Sequence, residues 1–390
     1  MLLGLLLARA GVNVVVLEKH ADFLRDFRGD TIHPSTLEVM HELGILDEFL
    51  KRPHQEVREL GGQVGRETVI IADFSHLPTR CKFIAFMPQW DFLSFIADCA
   101  KLYPTFSLRM QTEVTELLEE NGRVVGVRAK TSGGPLEIRA DLVVGADGRH
   151  SLVRERGQLR VDEFGVPIDV LWFRISKRPE DGGQTLGRIV EGKIMVMLNR
   201  EDYWQCGFVI PKGEFEAIKQ RGLASFQEDI ARIAPFLRDR VVELRNWEEI
   251  RLLTVLVDRL RKWYRAGLVC IGDAAHAMSP IGGVGINLAI QDAVAAANIL
   301  AGPLMNGTIS ISDLKKIQKR RNFPTRVTQG VQVFLQNRVI GRVLGSQQVS
   351  LPWPLRLFRR FPILRRIPAR LIGVGVRPEH VKSPDFYTPK

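Results

Sequence analysis

The stretch that most constrains this chain is LVCIGDAAHAMSPIGGVGINLAIQDA, residues 268–293. An apolar run leads to Asp273, a loop with Pro280, Gly282, Gly283 and Gly285 follows, and a helix is entered at Ile286 or Asn287. A carboxylate at the end of a buried strand can accept hydrogen bonds from ribitol or ribose hydroxyls. Glycines let backbone N–H groups approach a ligand, and a helix N-terminus stabilises negative charge. A strand, Gly-Asp and helix taken alone are equally well explained by a tight turn with a capping aspartate. The whole combination is far more specific, and it places the chain among α/β folds.

A second unit of the same shape is ADLVVGADGRHSLVRERG, where the strand over Leu142–Val144 ends at Asp147 and Gly148, and Ser151 and Arg154 open a helix. It points to the same use, and the bland alternative is a capping Asp147 and a solvated Arg154. A third lies at the start: Leu2 to Ala10 reads as a helix, Gly11 as its stop, and Val12 to Leu17 as a β-branched run buried on both faces, closed by Glu18. An acid at a strand end is commonplace, but this one stands where a βαβ nucleotide-binding unit holds the hydroxyls of a ribose.

Between these units, Pro34 to Leu50 has helical spacing with a break at Gly44, and Phe92 to Leu102 reads as another helix. Three strand-like runs, 112–119, 124–131 and 136–144, suggest an antiparallel meander turning at Asn121-Gly122. From about Val161 to Trp247 the texture becomes strand-like, with one charged helical stretch, Glu214 to Ala234. The expected organisation is a first domain part over 1–160, an inserted sheet over 161–250 with contributions from about 60–90, a second part of the first domain over 251–310, and a helical basic region over 311–390.

The 390 residues, 45% hydrophobic and 25% charged, suffice for a sizeable core. The net charge of +11 is concentrated: Arg321 to Pro378 holds eleven arginines, no lysine and no acid. Cys81, Cys99, Cys206 and Cys270 are scattered, so neither a disulfide framework nor a zinc site is suggested and a reducing cytoplasm is expected. The apolar start lacks the basic n-region of a signal peptide. No stretch is read as reaching the roughly eighteen consecutive apolar residues of a membrane span.

Glu18, Asp147-Gly148 and Gly272-Asp273, in that order, resemble the FAD-dependent monooxygenases of the p-hydroxybenzoate hydroxylase type over roughly residues 1–300. The resemblance implies a Rossmann-like FAD-binding domain with a parallel sheet, an inserted mixed or antiparallel substrate sheet and a helical tail. It implies FAD contacts from Glu18, Arg28, Gln89, Val114, Asp147, Gly148 and Asp273. Pro280, Gly282, Gly283, Gly285, Ile286 and Asn287 would lie along the isoalloxazine ring. It also implies reduction by NAD(P)H, reaction with O2 and oxygen transfer through a C4a-hydroperoxide to an aromatic or polyketide-like small molecule. Trp172, Arg174, Met195, Tyr203 and Trp204 are candidates for the substrate pocket. No catalytic side chain and no metal ligand is assigned, and His276 has no serine or cysteine to activate.

In that family a strand and a G-x-G-x-x-G loop precede the first helix, and Met1 falls one or two positions beyond the last of those glycines. The chain is therefore expected to lack the central strand and to retain FAD weakly, which leaves an inactive truncated flavoprotein as one alternative. An FAD-dependent reductase or dehydrogenase is the other. The arginine-rich segment 350–378, interleaved with Trp353, Phe358, Phe361 and Ile363, is expected either to pack as a solvated helical tail or to lie on an anionic membrane at the inner face of the cell. Nucleic acid is not expected, because the aromatics form no stacking platform.

Overall fold

The first helix, α1 (Leu2–Arg9), is apolar on every side, and all its residues from Leu2 to Ala8 are buried. A helix of that composition belongs inside a core. It lies directly on strand β1 (Val14–Leu17), because a Cβ on Gly4 would stand 2.9 Å from the Val16 side chain and from the Phe106 ring. The chain is seen here in a computed structural model that describes residues 1–23, 31–65, 67–182, 186–200, 202–341, 344 and 353–387.

The elements that position the site follow in chain order. Helix α2 (Pro34–Glu42) precedes strands β2 (Glu59–Val64) and β3 (Glu67–Asp73). Helix α3 (Gln89–Lys101) leads into strand β4 (Phe106–Arg109), which pairs in parallel with β1 from Val14↔Phe106 to Leu17↔Arg109. An antiparallel meander follows, β5 (Glu113–Glu120), β6 (Arg123–Thr131) and β7 (Gly134–Arg139), turning at Asn121 and Gly122, both at positive φ. Strand β8 (Val143–Gly145) then leads to the short helix α4 (Leu152–Arg156).

A second layer is built from β9 (Ile168–Ser176), β10 (Leu186–Val190), β11 (Lys193–Arg200) and β12 (Tyr203–Pro211). Helices α5 (Phe215–Gln220) and α6 (Leu223–Ile233) come next, then β13 (Arg251–Leu253). The charged stretch read as one helix is two, broken at Gly222, whose φ is +88°. The seven-stranded sheet runs β13-β9-β12-β11-β10-β2-β3, antiparallel except where β10 meets β2. Leu171, Phe173, Met195, Trp204 and Phe208 face α6 and its Phe226 and Ile230, so this face is closed by its own helix.

Strand β14 (Leu268–Cys270) lies parallel to β8, and the long helices α7 (Gly285–Met305) and α8 (Ile311–Leu335) follow, with α9 (Trp353–Arg360) and α10 (Arg366–Gly373) near the end. The single parallel sheet expected from the sequence is not what the described strands form. Outside the seven-stranded sheet they pair in parallel as two separate ladders, β1 with β4 and β8 with β14, and no described strand bonds to the second edge of β1 or of β8. Ile281–Met305 is long enough and apolar enough in mean hydropathy to cross a membrane, though Asn287, Gln291, Asp292 and Asn298 interrupt it, and 67% of its most apolar stretch is buried, as befits a core helix.

Candidate functional site

Parallel pairing brings the two acid-bearing turns together. Val143, Val144 and Gly145 sit opposite Leu268, Val269 and Cys270, and the Ile271 N–H donates to the Gly145 carbonyl at 2.9 Å. Both strands therefore release their turns at the same end, where parallel α/β sheets bind ligands. There the Arg149 guanidinium reaches to 3.9 Å from the Asp273 carboxylate, which is one third exposed. Arg149 Nη1 donates to the Thr254 carbonyl, while its Nε is buried without an acceptor among the described residues. Gly148, at φ +86°, has nothing within 4 Å of where a Cβ would be. An open left-handed backbone beside a carboxylate and an unsatisfied buried donor suits an anionic, hydroxyl-bearing ligand such as a flavin nucleotide.

Asp147 is used differently. Its carboxylate accepts from the Ser151 hydroxyl and, at 3.1 Å, from the Val153 N–H, while Ser151 caps α4 by accepting from the Arg154 N–H at 2.9 Å. The capping reading thus holds for the Asp147 side chain. Arg154 is not solvated: it donates to Asp258 at 3.1 Å and to the Arg149 carbonyl at 2.7 Å, so it braces the turn that carries Arg149.

The glycine loop meets the start of α2. Gly282 and Gly283 have φ of +77° and +63°, and the Gly283 carbonyl accepts from the Thr31 hydroxyl at 2.9 Å. Asn287 Oδ1 accepts from the His33 N–H at 3.1 Å and from the Thr36 hydroxyl at 2.7 Å. The Asn287 side chain is therefore spent on stapling two helix starts, and only its backbone amide can face a ligand. No side chain caps α7, so the amides of Gly285, Ile286 and Asn287 carry the positive end of a 21-residue helix. Pro280 opens the turn before them.

His33 was not singled out from the sequence. It is fully buried, donates through Nδ1 to the Ile372 carbonyl at 2.7 Å, and leaves Nε2 without a partner among the described residues. Burial pushes its pKa down to about 4, so the ring is neutral at physiological pH. Its sequence signal, His before Pro at the head of a helix, is that of an ordinary entry to a helix.

Behind the Gly272-Asp273 turn lies a buried charge cluster. Asp292, inaccessible to solvent, accepts from the Gly272 N–H at 3.0 Å, from His276 Nε2 at 2.5 Å and from Arg321 Nε at 2.9 Å. Arg321 also donates to Glu379 at 3.2 Å, and the Trp263 ring lies 4.9 Å from the His276 ring. Burial alone would raise the Asp292 pKa, but His276 and then Arg321 hold it below the ordinary carboxylate value. His276 is thus a brace for the turn.

Glu18 directly follows β1, is partly buried, and accepts from the His20 N–H at 3.0 Å. Gln89 is the first residue of α3 and is partly buried, and Val114 lies on β5 packed against the core. Arg28 lies outside the described residues. The five pocket candidates divide by strand alternation. Met195 and Trp204 point into the core with α6, and the Trp204 indole donates to Asp181 at 3.0 Å. Trp172, Arg174 and Tyr203 share the other face, with the Arg174 guanidinium 4.9 Å from the Tyr203 ring centroid. Trp172 packs into both apolar clusters on that face, one containing Ile281 and the other Ile372, and so joins the inserted sheet to the glycine loop.

With this geometry in place, comparison with known proteins is informative. The FAD-binding domain family matches residues 1–331. A 6-methylpretetramide 4-monooxygenase of Streptomyces rimosus is 32% identical over 389 residues, 98% of this chain and 92% of that protein. A digeranylgeranylglycerophospholipid reductase of Methanocella arvoryzae is 30% identical over 219 residues, 54% of this chain and 53% of that protein. Among solved structures, p-nitrophenol 4-monooxygenase from Pseudomonas putida superimposes with a TM-score of 0.73 at 21% identity, covering 96% of each chain. Anhydrotetracycline hydroxylase from Streptomyces rimosus does so with a TM-score of 0.72 at 21% identity, covering 96% of this chain and 74% of that one. At these identities the superpositions speak for the fold.

Proposed function

The chain belongs to the FAD-binding domain family and is an FAD-dependent monooxygenase, and on that premise we propose that it hydroxylates a fused, polyketide-type aromatic ring. The observation that carries the proposal is the meeting of the Arg149 and Asp273 turns at the ends of adjacent parallel strands, in a chain whose 32% identical relative is named for oxygenation of a pretetramide.

The bound flavin supplies electron transfer from NAD(P)H and activation of O2. The protein supplies place, charge and dryness. Asp273 would accept hydrogen bonds from the ribityl chain, and Glu18 from the ribose of the adenosine half. The free amides at Gly285, Ile286 and Asn287 would face the ring edge where negative charge gathers on reduction, stabilising it without any reorganisation. Gln89 and Val114 would contribute at the flanks of the nucleotide. Asp147 would act through the turn that it caps, and Gly148 through its backbone. Trp172, with Arg174 and Tyr203 on the same sheet face, would wall the substrate side and exclude water.

The finer reading of the sheet belongs to the same proposal. A strand carrying a glycine loop, lying between the open edges of β1 and β8, would join the two ladders into one parallel layer and complete the pyrophosphate cradle. The division into an FAD-binding part and an inserted substrate sheet is likewise proposed here; strand order and the two separate core clusters support it.

Turnover of the flavin-loaded protein with NADH or NADPH and a tetracyclic aromatic polyketide under 18O2 tests the function. One labelled oxygen atom in the product is expected. A reductase reading is favoured by the partial match to an isoprenoid-lipid reductase. Substrate-dependent NAD(P)H oxidation that persists without O2, with no label incorporated, would replace the monooxygenase reading with that one.

A further inference from the structure

We infer that α9, the turn after it and α10 form a docking surface for an anionic lipid bilayer. Four large apolar side chains stand out from this segment: Leu357, Phe361, Ile363 and Ile367 are 39%, 49%, 64% and 67% exposed. Leu357 lies in α9, Phe361 and Ile363 on the turn between the helices and Ile367 at the start of α10, so exposed apolar groups run through the whole segment. Exposed Arg359, Arg360, Arg366 and Arg370 are interleaved with them, and no acidic residue occurs between Arg321 and Pro378.

These apolar groups are not left over from poor packing. The segment has a separate inward face, on which Ala369 is fully buried and Ile372 packs with Phe74 and Leu77. At Gly373 a Cβ would stand 2.7 Å from Leu77. Two acids beside the segment are engaged: Glu67 pairs with Arg359 at 2.5 Å, and Asp73 accepts from the Ser75 N–H at 2.9 Å. What remains outward is aliphatic and aromatic bulk ringed by guanidinium groups, the pattern of a helix lying in a headgroup region rather than one merely solvated. An acidic protein would satisfy the arginines but leave Ile363 and Ile367 in water.

The surface is physically joined to the site. The carbonyl of Ile372, at the inner end of α10, accepts from His33, and its side chain comes within 4.0 Å of where a Cβ on Gly282 would be. Ile367 lies only about 8 Å further along the helix axis. Adsorption to a bilayer would therefore hold the glycine loop close to the lipid interface, where an apolar substrate concentrates.

Flotation of the full chain with phosphatidylcholine vesicles, alone or with about one third phosphatidylglycerol, tests the inference. Binding only to the anionic vesicles is expected, reversed by about 0.5 M salt. Neutralising Arg360, Arg366 and Arg370 to Gln should weaken it roughly fivefold per residue. Ile363→Ser with Ile367→Ser should weaken it at least tenfold, with melting temperatures unchanged because the altered side chains are exposed. Equal flotation with neutral and anionic vesicles, or none with either, overturns the inference. So does retention of the chain on polyglutamate with no vesicle binding, which would make the partner an acidic protein.

Discussion

Asp292 answers three donors in a place water does not reach, and that makes it the residue whose loss should be felt most. Asp292→Ala leaves the Arg321 guanidinium, itself fully buried, facing only Glu379 and a carbonyl. Breaking such a buried pair costs about 3–5 kcal/mol, while removing both partners restores much of it. Urea unfolding should therefore show Asp292→Ala to be less stable than the double variant Asp292→Ala/Arg321→Met; equal loss in both would mean that the cluster acts only through packing. His33 gives a pH signature. Its folded pKa of about 4 lies below the ordinary value of 6.5, so the unfolded chain binds a proton that the folded one refuses. Stability is fully present above pH 6.5 and falls as pH drops toward 4, by about 3 kcal/mol in all. Replacing His33 by Gln, which can still donate to the Ile372 carbonyl, should flatten that part of the stability profile. At this scale the strand-end acids were legible because a carboxylate between an apolar run and glycine has few uses. The role of His33 was not, because its partner is 339 residues away.

At the scale of elements, the loop before α7 is pressed tightly against Thr31. A Cβ on Gly283 would fall 2.5 Å from the Thr31 hydroxyl, at a φ of +63° that a side chain adopts with strain. Gly283→Ala should cost roughly 1–3 kcal/mol and weaken flavin binding several-fold by flavin fluorescence titration; wild-type affinity would show that the loop does not face the cofactor. The loop, α7 and both strand–Gly–Asp turns could be read from glycine placement and apolar runs, since these are local constraints. Strand alternation likewise separates Met195 and Trp204 from Trp172, Arg174 and Tyr203. It does not say which face looks inward, and α6 closing over the first set decided that.

For the whole molecule, the consequence concerns the seam between the inserted sheet and the glycine loop. Trp172 fills that seam between the cluster of Ile281 and the cluster of Ile372. Trp172→Ala should admit water and raise the hydrogen peroxide released per NAD(P)H several-fold, measured by oxygen uptake with and without catalase; unchanged coupling would place the substrate elsewhere. The sequence by itself determined the strands, the turns at their ends and the chemistry that those turns can do, because backbone propensity, glycine freedom and a buried carboxylate act over a few neighbouring residues. Only the tertiary structure decided that Asp147 caps while Asp273 faces Arg149 across the two turns, that His276 braces a turn through Asp292, and that α10 ties an exposed arginine-rich surface to His33. Those outcomes depend on which distant groups desolvate one another, and no local pattern carries that information.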